Sequence, residues 1–322
     1  LQLRRNHSSS VPNSIDIYDP IYGQYLPELP LFINTEEQQR YFSLNLQDQI
    51  FLNDQWSVLF GARFDHVTQD FQNKLAGTSS KKDLQQTSPR LGLNYRLNDR
   101  WSWYANYGES FALNSGMDRN GDMFNPEKGK SYEIGGKYQI TPQSLLSLAL
   151  FKMDKENVLT TDPADSNYQI TAGEVSSKGL ELDLETQLND QFSIRANYSY
   201  TDAQVEKDQI LAKGSRLSNV PKHSGSISSN YEWTLANADR VGLGAMAIYV
   251  GKRSGHSTDN GFNLPEYTLL NLNAYYAPTD QLRYQFNVHN LLDETYYVAS
   301  YSDMWIQPGD PLNASISVQW KF

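Results

Sequence analysis

The feature of this sequence that most restricts its fold is a long-range alternation of apolar and polar residues. Residues 42–50 read FSLNLQDQI, and residues 56–65 read WSVLFGARFD. An alternation with period two predicts β-strands with two chemically different faces, because successive side chains of a strand point to opposite sides. The pattern returns in residues 90–97, 101–107, 132–138, 192–200, 282–288 and 314–322. The sequence therefore predicts an all-β protein of about 13 or 14 strands.

Short polar turns separate these segments, and three of the turns share one motif. The motif is FLNDQW at 51–56, RLNDRW at 96–101 and QLNDQF at 187–192. Asn and Asp tolerate left-handed backbone angles and hydrogen-bond to their own main chain, so the pair suits a tight turn. Each copy predicts a hairpin tip. Further short turns are predicted near residues 141, 237 and 279.

The connections alternate strictly between short and long. Long polar loops are predicted at about 66–87, 109–128, 154–175, 202–218, 251–266 and 293–310. This alternation, with one apolar face on each strand, is typical of a transmembrane antiparallel up-and-down β-barrel of the outer-membrane type. A soluble β-repeat protein would need a second sheet to cover each apolar face. Aromatic residues where strands meet turns, such as Trp56, Trp101, Trp103 and Phe192, predict an interfacial girdle.

Composition excludes several other classes of protein. The net charge of -10 disfavours a nucleic-acid partner, since phosphate binding needs clustered Lys and Arg. The chain has no cysteine, which excludes disulfides and thiolate metal sites. The longest apolar run, Leu145 to Phe151, is far shorter than the roughly 20 residues of a membrane helix. The opening LQLRRNHSSS lacks the apolar core of a signal peptide, so we expect the sequence to begin in mid-protein.

Several stretches resemble consecutive signatures of the TonB-dependent siderophore receptor family. They are YANYGESF at 104–111, NPEKGKSYEIGGKY at 125–138, SSKGLELDLETQL at 176–188, NVHNLLDETYY at 287–297 and the terminal SVQWKF at 317–322. DPIYG at 19–23 and LQDQIFLNDQWSVLFGARFD at 46–65 resemble the ferrichrome-type branch of the family. One departure is Gly309-Asp310-Pro311-Leu312, where members often have Gly-x-Pro-Arg.

The resemblance implies a particular domain organisation. Members have an N-terminal plug domain, a short TonB-contacting box and a barrel of about 22 strands. This chain resembles only the C-terminal part of that barrel, without the plug, the box or the first strands. Residues 1–36 are then expected to be an extracellular loop segment that could include the stub of an earlier strand. Residues 37–322 are expected to be barrel.

The resemblance also implies a function, namely uptake of a ferric siderophore of the hydroxamate type across the bacterial outer membrane. The implied partners are the siderophore, outer-membrane lipid and the TonB complex, which would supply energy through the missing N-terminal region. No cofactor is expected, because iron enters only as part of the ligand. Two alternatives stay open: a passive diffusion pore of about 14 strands and a barrel enzyme, although no motif supports enzyme activity.

The chemistry of such a ligand suggests candidate binding residues. Iron in a ferric siderophore is already saturated, so the receptor should offer an aromatic, hydrogen-bonding surface rather than metal ligands. Arg can meet a negatively charged chelate. Aromatic and Arg residues in the long loops or on a polar strand face meet these criteria: Trp305, Tyr301, Phe111, Arg119, Tyr104 and Tyr168. Trp305, in the last loop, is the strongest candidate, and packing against loop neighbours is the alternative role for each.

Other groups of polar residues have simpler explanations. Glu181, Asp183 and Glu185 share one strand face and could indicate acid–base or metal chemistry, but a polar barrel wall balanced by Arg195 is the simpler interpretation. DRNGD at 118–122 begins like a calcium loop, but Met123 stands where the motif requires Gly. The five histidines lack the spacing of a zinc site, and only His256 is a candidate for haem binding.

Overall fold

The computed structural model describes residues 2–10, 31, 33–256 and 258–322, and for residues 2–10 only the backbone. The strands are β1 Gln2–Ser10, β2 Ile33–Phe51, β3 Trp56–Asn73, β4 Thr78–Arg96, β5 Trp101–Ala112, β6 Glu127–Thr141, β7 Ser144–Thr161, β8 Gln169–Gln187, β9 Phe192–Lys207, β10 His223–Thr234, β11 Arg240–Val250, β12 Arg253–Ser254, β13 Asn263–Leu264, β14 Tyr267–Ala277, β15 Leu282–His289, β16 Tyr297–Ser302, β17 Trp305–Pro308 and β18 Asn313–Trp320. Within these described ranges, no helix has the length and apolar character needed to cross a membrane.

Fourteen of the strands in the described residues form one antiparallel sheet. Its order is β1-β2-β3-β4-β5-β6-β7-β8-β9-β10-β11-β14-β15-β18, so each strand pairs with its neighbours along the chain. The remaining four strands form two small hairpins, β12–β13 and β16–β17, in the last two long connections. In the part of the chain that is described, β1 and β18 end the sheet and do not pair with each other. The up-and-down topology confirms the predicted all-β meander.

The two faces of the sheet differ as the alternation predicts. Leu148 pairs with Leu182, which pairs with Tyr198, and all three side chains are exposed on one face. On the opposite face, Asp183 pairs with Asn197. Because apolar side chains of this size stay uncovered in strand after strand, this outer face needs a lipid environment. The polar face forms the inner wall.

The repeated turn motif folds the same way in all three copies. The Oδ1 atom of Asn53 accepts hydrogen bonds of 2.9 Å from the backbone N–H groups of Gln55 and Trp56. Asn98 and Asn189 make the corresponding pairs of bonds, also at 2.9 Å. None of the three Asn residues, nor the Asp that follows each, is among the described residues with positive φ. The predicted side-chain bond is therefore confirmed, and these turns form without left-handed backbone angles at the Asn-Asp pair.

We expect Asn98→Ala to lower the free energy of unfolding by about 1 kcal/mol, because two backbone N–H groups lose their acceptor at a partly solvated turn. Asn98→Asp is the matched control, since a carboxylate accepts the same two bonds. Urea unfolding of the refolded receptor measures both. Equal losses for the two variants would contradict this role of the side chain.

Two of the predicted long loops are in fact short, because their strands continue. The connections are residues 74–77 and 162–168, instead of the predicted 66–87 and 154–175. The extra strand residues are mostly polar, as in TSSKKDLQQTS at 78–88. Backbone pairing does not depend on side-chain polarity, so the ladders extend beyond the apolar region. The long connections at 113–126, 208–222, 251–266 and 290–312 lie close to the predicted loops.

The predicted division of the chain at residues 36 and 37 stays a prediction. The structure places strand β1 at Gln2–Ser10 and starts β2 at Ile33. The DPIYG stretch at 19–23 lies outside the described residues.

Aromatic rings collect at the end of the sheet that carries the three copies of the repeated turn motif. This end is called here the turn end. Trp56 stacks on Tyr95, and Trp101 stacks on Tyr138, both with ring centroids 4.3 Å apart. Phe192 contacts Tyr231 on the same face. This band on the outer face has the arrangement expected of an interfacial girdle.

Candidate functional site

The last long connection presents an exposed apolar surface at the opposite end of the sheet, the loop end. Its β16–β17 hairpin, residues 297–308, is called here the last-loop hairpin. Tyr301, Met304 and Trp305 have 70%, 93% and 75% of their surface exposed. Three large side chains on one hairpin tip leave apolar surface uncovered outside the apolar band of the strands. Such patches mark interaction surfaces.

The base of this connection is fixed by Asn290. This residue has a φ of 51° and is buried. Its Nδ2 donates to the carbonyl oxygens of Glu294, at 2.9 Å, and Asp310, at 3.1 Å. Its Oδ1 accepts from the Glu294 N–H at 2.9 Å. One Asn side chain thus joins both ends of the connection and sets the direction in which the last-loop hairpin leaves the sheet.

Two other predicted residues, Arg119 in the β5–β6 connection and Tyr168 in the β7–β8 connection, both contact Asp162. Arg119 forms an ion pair with Asp162 at 3.4 Å, and the Asp162 N–H donates to the carbonyl of Tyr168 at 3.0 Å. The Asp162 side chain is nearly buried, while that of Arg119 remains half exposed. The Arg119 guanidinium therefore links two connections and keeps part of its surface free for a ligand.

The β5–β6 connection is also held against the inner wall by a buried polar network. Glu37 accepts hydrogen bonds from the side chains of Gln39, Gln69 and Ser115. Gln69 also donates to the carbonyl of Asn114 at 2.9 Å. Sequence reasoning missed these residues, because nothing in the polar upper part of β2 and β3 indicates which loop will cover it.

Tyr104 lies on the polar inner face, as predicted, but close to the turn end. It is three residues from Trp101, the start of β5, and a Cβ at the neighbouring Gly135 would come within 2.4 Å of its ring. It lines a cavity of about 650 Å³ together with Arg90, Glu133 and other polar residues. Most of strand β5 therefore separates Tyr104 from the loop end of the sheet.

Phe111 lies near the loop end of β5, where it pairs with Lys128. It has the same strand parity as Trp101 and Trp103, and so it shares their outer face rather than the inner face of Tyr104. The structure therefore places Tyr301 and Trp305 on one hairpin and links Arg119 to Tyr168 through Asp162, whereas Tyr104 lies near the turn end and Phe111 on the outer face.

The acidic row on β8 belongs to the inner wall. Glu185 accepts two hydrogen bonds from Arg195, at 3.0 and 2.7 Å, which matches the predicted charge balance. In the described ranges, no three His, Cys, Asp or Glu side chains are grouped closely enough to hold a metal ion. In the DRNGD stretch, Asp118 accepts from the backbone N–H groups of Asn120 and Asp122, a local turn contact.

An exposed ion pair joins the end of β9 to the connection that follows it. Lys213 Nζ lies 2.9 Å from a carboxylate oxygen of Glu206. A hydrogen bond from Ser176 lowers the pKa of Glu206 below its usual value, and the contact with Lys213 lowers it further. Glu206 in turn raises the pKa of Lys213. Because both groups are exposed, the pair contributes little stability.

Comparisons with known proteins identify the family to which this sequence is similar. Residues 2–291 match the family model described as TonB dependent receptor-like, beta-barrel. A metal-pseudopaline receptor, CntO, of Pseudomonas aeruginosa is 40% identical over 98% of this chain and 45% of its own length. A ferrioxamine B receptor of Salmonella typhimurium is 30% identical over 100% of this chain and 46% of its own length.

A similar solved structure is that of the siderophore receptor PiuA from Acinetobacter baumannii. It has a TM-score of 0.81 at 22% identity, over 94% of this chain and 46% of that one. This likeness shows a shared fold. The chain spans about half the length of the curated relatives it matches. On the family match and the 40% identical relative, this chain belongs to the TonB-dependent receptor β-barrel family of the bacterial outer membrane.

Proposed function

We propose that this chain is the barrel part of an outer-membrane receptor that takes up a metal–chelator complex. The proposed ligand is a ferric siderophore of the hydroxamate type, bound at the loop end. TonB would supply the energy through a region of the receptor outside this sequence. The receptors for ferrioxamine B and ferrichrome among the relatives, each 30% identical, support this ligand class.

The observation that carries the proposal is the exposed tip of the last-loop hairpin. Trp305 and Tyr301 offer rigid aromatic area with polar edges, which suits a bulky chelate that presents both apolar and polar atoms. Arg119 offers a guanidinium for a negatively charged chelate. Metal ligands are not required of the protein, because the chelator supplies them.

A second candidate ligand is a metal–pseudopaline complex. The 40% identity to the metal-pseudopaline receptor exceeds the 30% identity to the ferrioxamine B receptor. The cargo would then be a metal ion chosen by the chelator rather than iron alone. Neither the pore nor the enzyme alternative gains comparable support, because the names of the relatives describe receptors and transporters.

The experiment is a binding panel on the receptor that contains this chain, purified in detergent. Ferrichrome, ferrioxamine B, a ferric catecholate, haem and metal–pseudopaline are titrated by intrinsic tryptophan fluorescence. We expect saturable binding of one chelate class, tightest for a ferric hydroxamate. Tighter binding of metal–pseudopaline would favour the second candidate. Absence of saturable binding to all of them would contradict the proposed function.

A further inference from the structure

We infer that Arg253 and Asn219 are positioning residues that fix the last-loop hairpin before a ligand arrives. Both belong to other connections, Asn219 to β9–β10 and Arg253 to β11–β14. The inference rests on the proposed function for the role of Tyr301 and Trp305 in binding. It adds that the geometry of these two aromatic residues is set by loops that need not touch the ligand.

Arg253 is a buried cation without an acidic partner among the described residues. Only 1% of its surface is exposed. Its guanidinium donates to the carbonyls of Val298, at 3.0 Å, and Tyr297, the first two residues of the last-loop hairpin. It also donates to the carbonyl of Pro265 at 3.4 Å and lies over the ring of Tyr267, 5.5 Å from its centroid.

Burying a guanidinium is costly unless its hydrogen-bond donors are satisfied. Burial lowers the pKa of Arg253, partly offset by Tyr267, but an arginine side chain remains protonated at neutral pH. The charge is stabilised mainly by the carbonyls of the hairpin. Movement of the hairpin away from Arg253 would leave a buried charge unpaired, and this cost holds the hairpin in place.

Asn219 fastens the middle of the hairpin by a reciprocal pair of hydrogen bonds. Its Nδ2 donates to the Ser300 carbonyl at 2.8 Å, and its Oδ1 accepts from the Ser300 N–H at 2.9 Å. The Asn219 N–H donates to the carbonyl of Ser254, next to Arg253, at 2.8 Å. The Ser300 hydroxyl donates to the carbonyl of Gly255.

These contacts join three connections immediately below the binding candidates. Ser300 precedes Tyr301 and is buried, whereas Tyr301 is exposed. The buried contacts of Ser300 thus lie directly beside the exposed side chain of Tyr301. A preorganised hairpin loses less conformational entropy on binding, so loosening it should weaken affinity without removing any ligand contact.

Hydrogen exchange of the unliganded receptor tests the anchoring. The variants are Arg253→Met, which keeps side-chain length, and Asn219→Gly, which suits the φ of 62° at this position. We expect amides in residues 297–308 to exchange at least about tenfold faster in both variants. Asn219→Asp keeps one of the two bonds and serves if Asn219→Gly misfolds. Lys252→Gln is the matched control, since it removes an adjacent exposed charge without touching the hairpin. Unchanged exchange in folded variants would overturn the anchoring.

Binding of ferrioxamine B, ferrichrome and metal–pseudopaline then tests the positioning role. For a probe whose binding depends on Trp305, we expect about tenfold weaker affinity in Arg253→Met, partial rescue by Arg253→Lys and no change in Lys252→Gln. Faster exchange with unchanged affinity for such a probe would overturn the positioning role alone. If replacement of Trp305 weakens the binding of none of the probes, the proposed ligand contact is wrong and the positioning role is wrong with it. The hydrogen-exchange result still decides whether Arg253 and Asn219 anchor the hairpin.

Discussion

Replacement of Trp305 by Ala is expected to weaken binding of the chelate by about 30-fold, which corresponds to a loss of about 2 kcal/mol. Trp305 has 75% of its surface exposed on a hairpin that is fixed at its base and middle, so a ligand can bury most of the ring without reorganising the loop. Fluorescence titration or calorimetry with ferrioxamine B, ferrichrome and metal–pseudopaline measures the loss.

Two controls separate a ligand contact from a general effect of the loops. Trp305→Phe keeps aromatic area and should restore part of the affinity. Ile210→Ala removes another exposed apolar side chain, 61% exposed, from a neighbouring connection and should leave affinity unchanged. If Trp305→Ala and Ile210→Ala behave alike, the last-loop hairpin is not the binding surface.

A second large effect is expected from a charge on the outer face of β8. Leu182→Arg should lower the free energy of unfolding of the vesicle-inserted receptor by about 2 to 4 kcal/mol, because an arginine near the bilayer midplane contacts hydrocarbon. Leu182 lies among exposed apolar neighbours, Leu148 and Tyr198. Denaturant unfolding of the vesicle-inserted receptor, followed by tryptophan fluorescence, measures the change.

The matched control for this prediction is the adjacent residue on the inner face. Asp183→Arg carries the same new side chain, but Asp183 pairs with Asn197 on the polar wall, where water or polar groups can solvate the charge. We expect its effect to stay below about 1 kcal/mol. A similar loss for the two variants would mean that the faces of β8 do not differ in their surroundings.

Much of this fold could be predicted from the sequence, because a barrel strand shows its two environments in alternate residues. Two of the signals depend only on residues that are close together in the sequence. One is the alternation of Leu182 with Asp183 and Glu185, and the other is the Asn of each repeated turn. The lengths of the loops could not be predicted in the same way. Above the apolar band both faces of strands such as β4 are polar, so period two disappears although pairing continues to Thr78.

The candidate site was only partly predictable for a related reason. Tyr301 and Trp305 could be chosen by residue type and by their place in a long loop. Arg253 and Asn219 could not, because they act through backbone carbonyl and amide groups of another connection, 81 residues away in the case of Asn219 and Ser300. Such contacts depend on tertiary proximity and have no sequence pattern of their own.

The central claim is that the outer face is apolar and lies in lipid, whereas the inner wall is polar. Its most direct test is site-directed spin labelling along β8 in the membrane-inserted receptor. The chain has no cysteine, so single cysteines can be introduced at residues 180–185 without competing labels in this region. We expect lipid-soluble oxygen to relax labels at residues 180, 182 and 184. Labels at residues 181, 183 and 185 should instead be relaxed by a water-soluble nickel complex or be immobilised by contacts inside the barrel. Equal access of oxygen at all six positions would contradict the account.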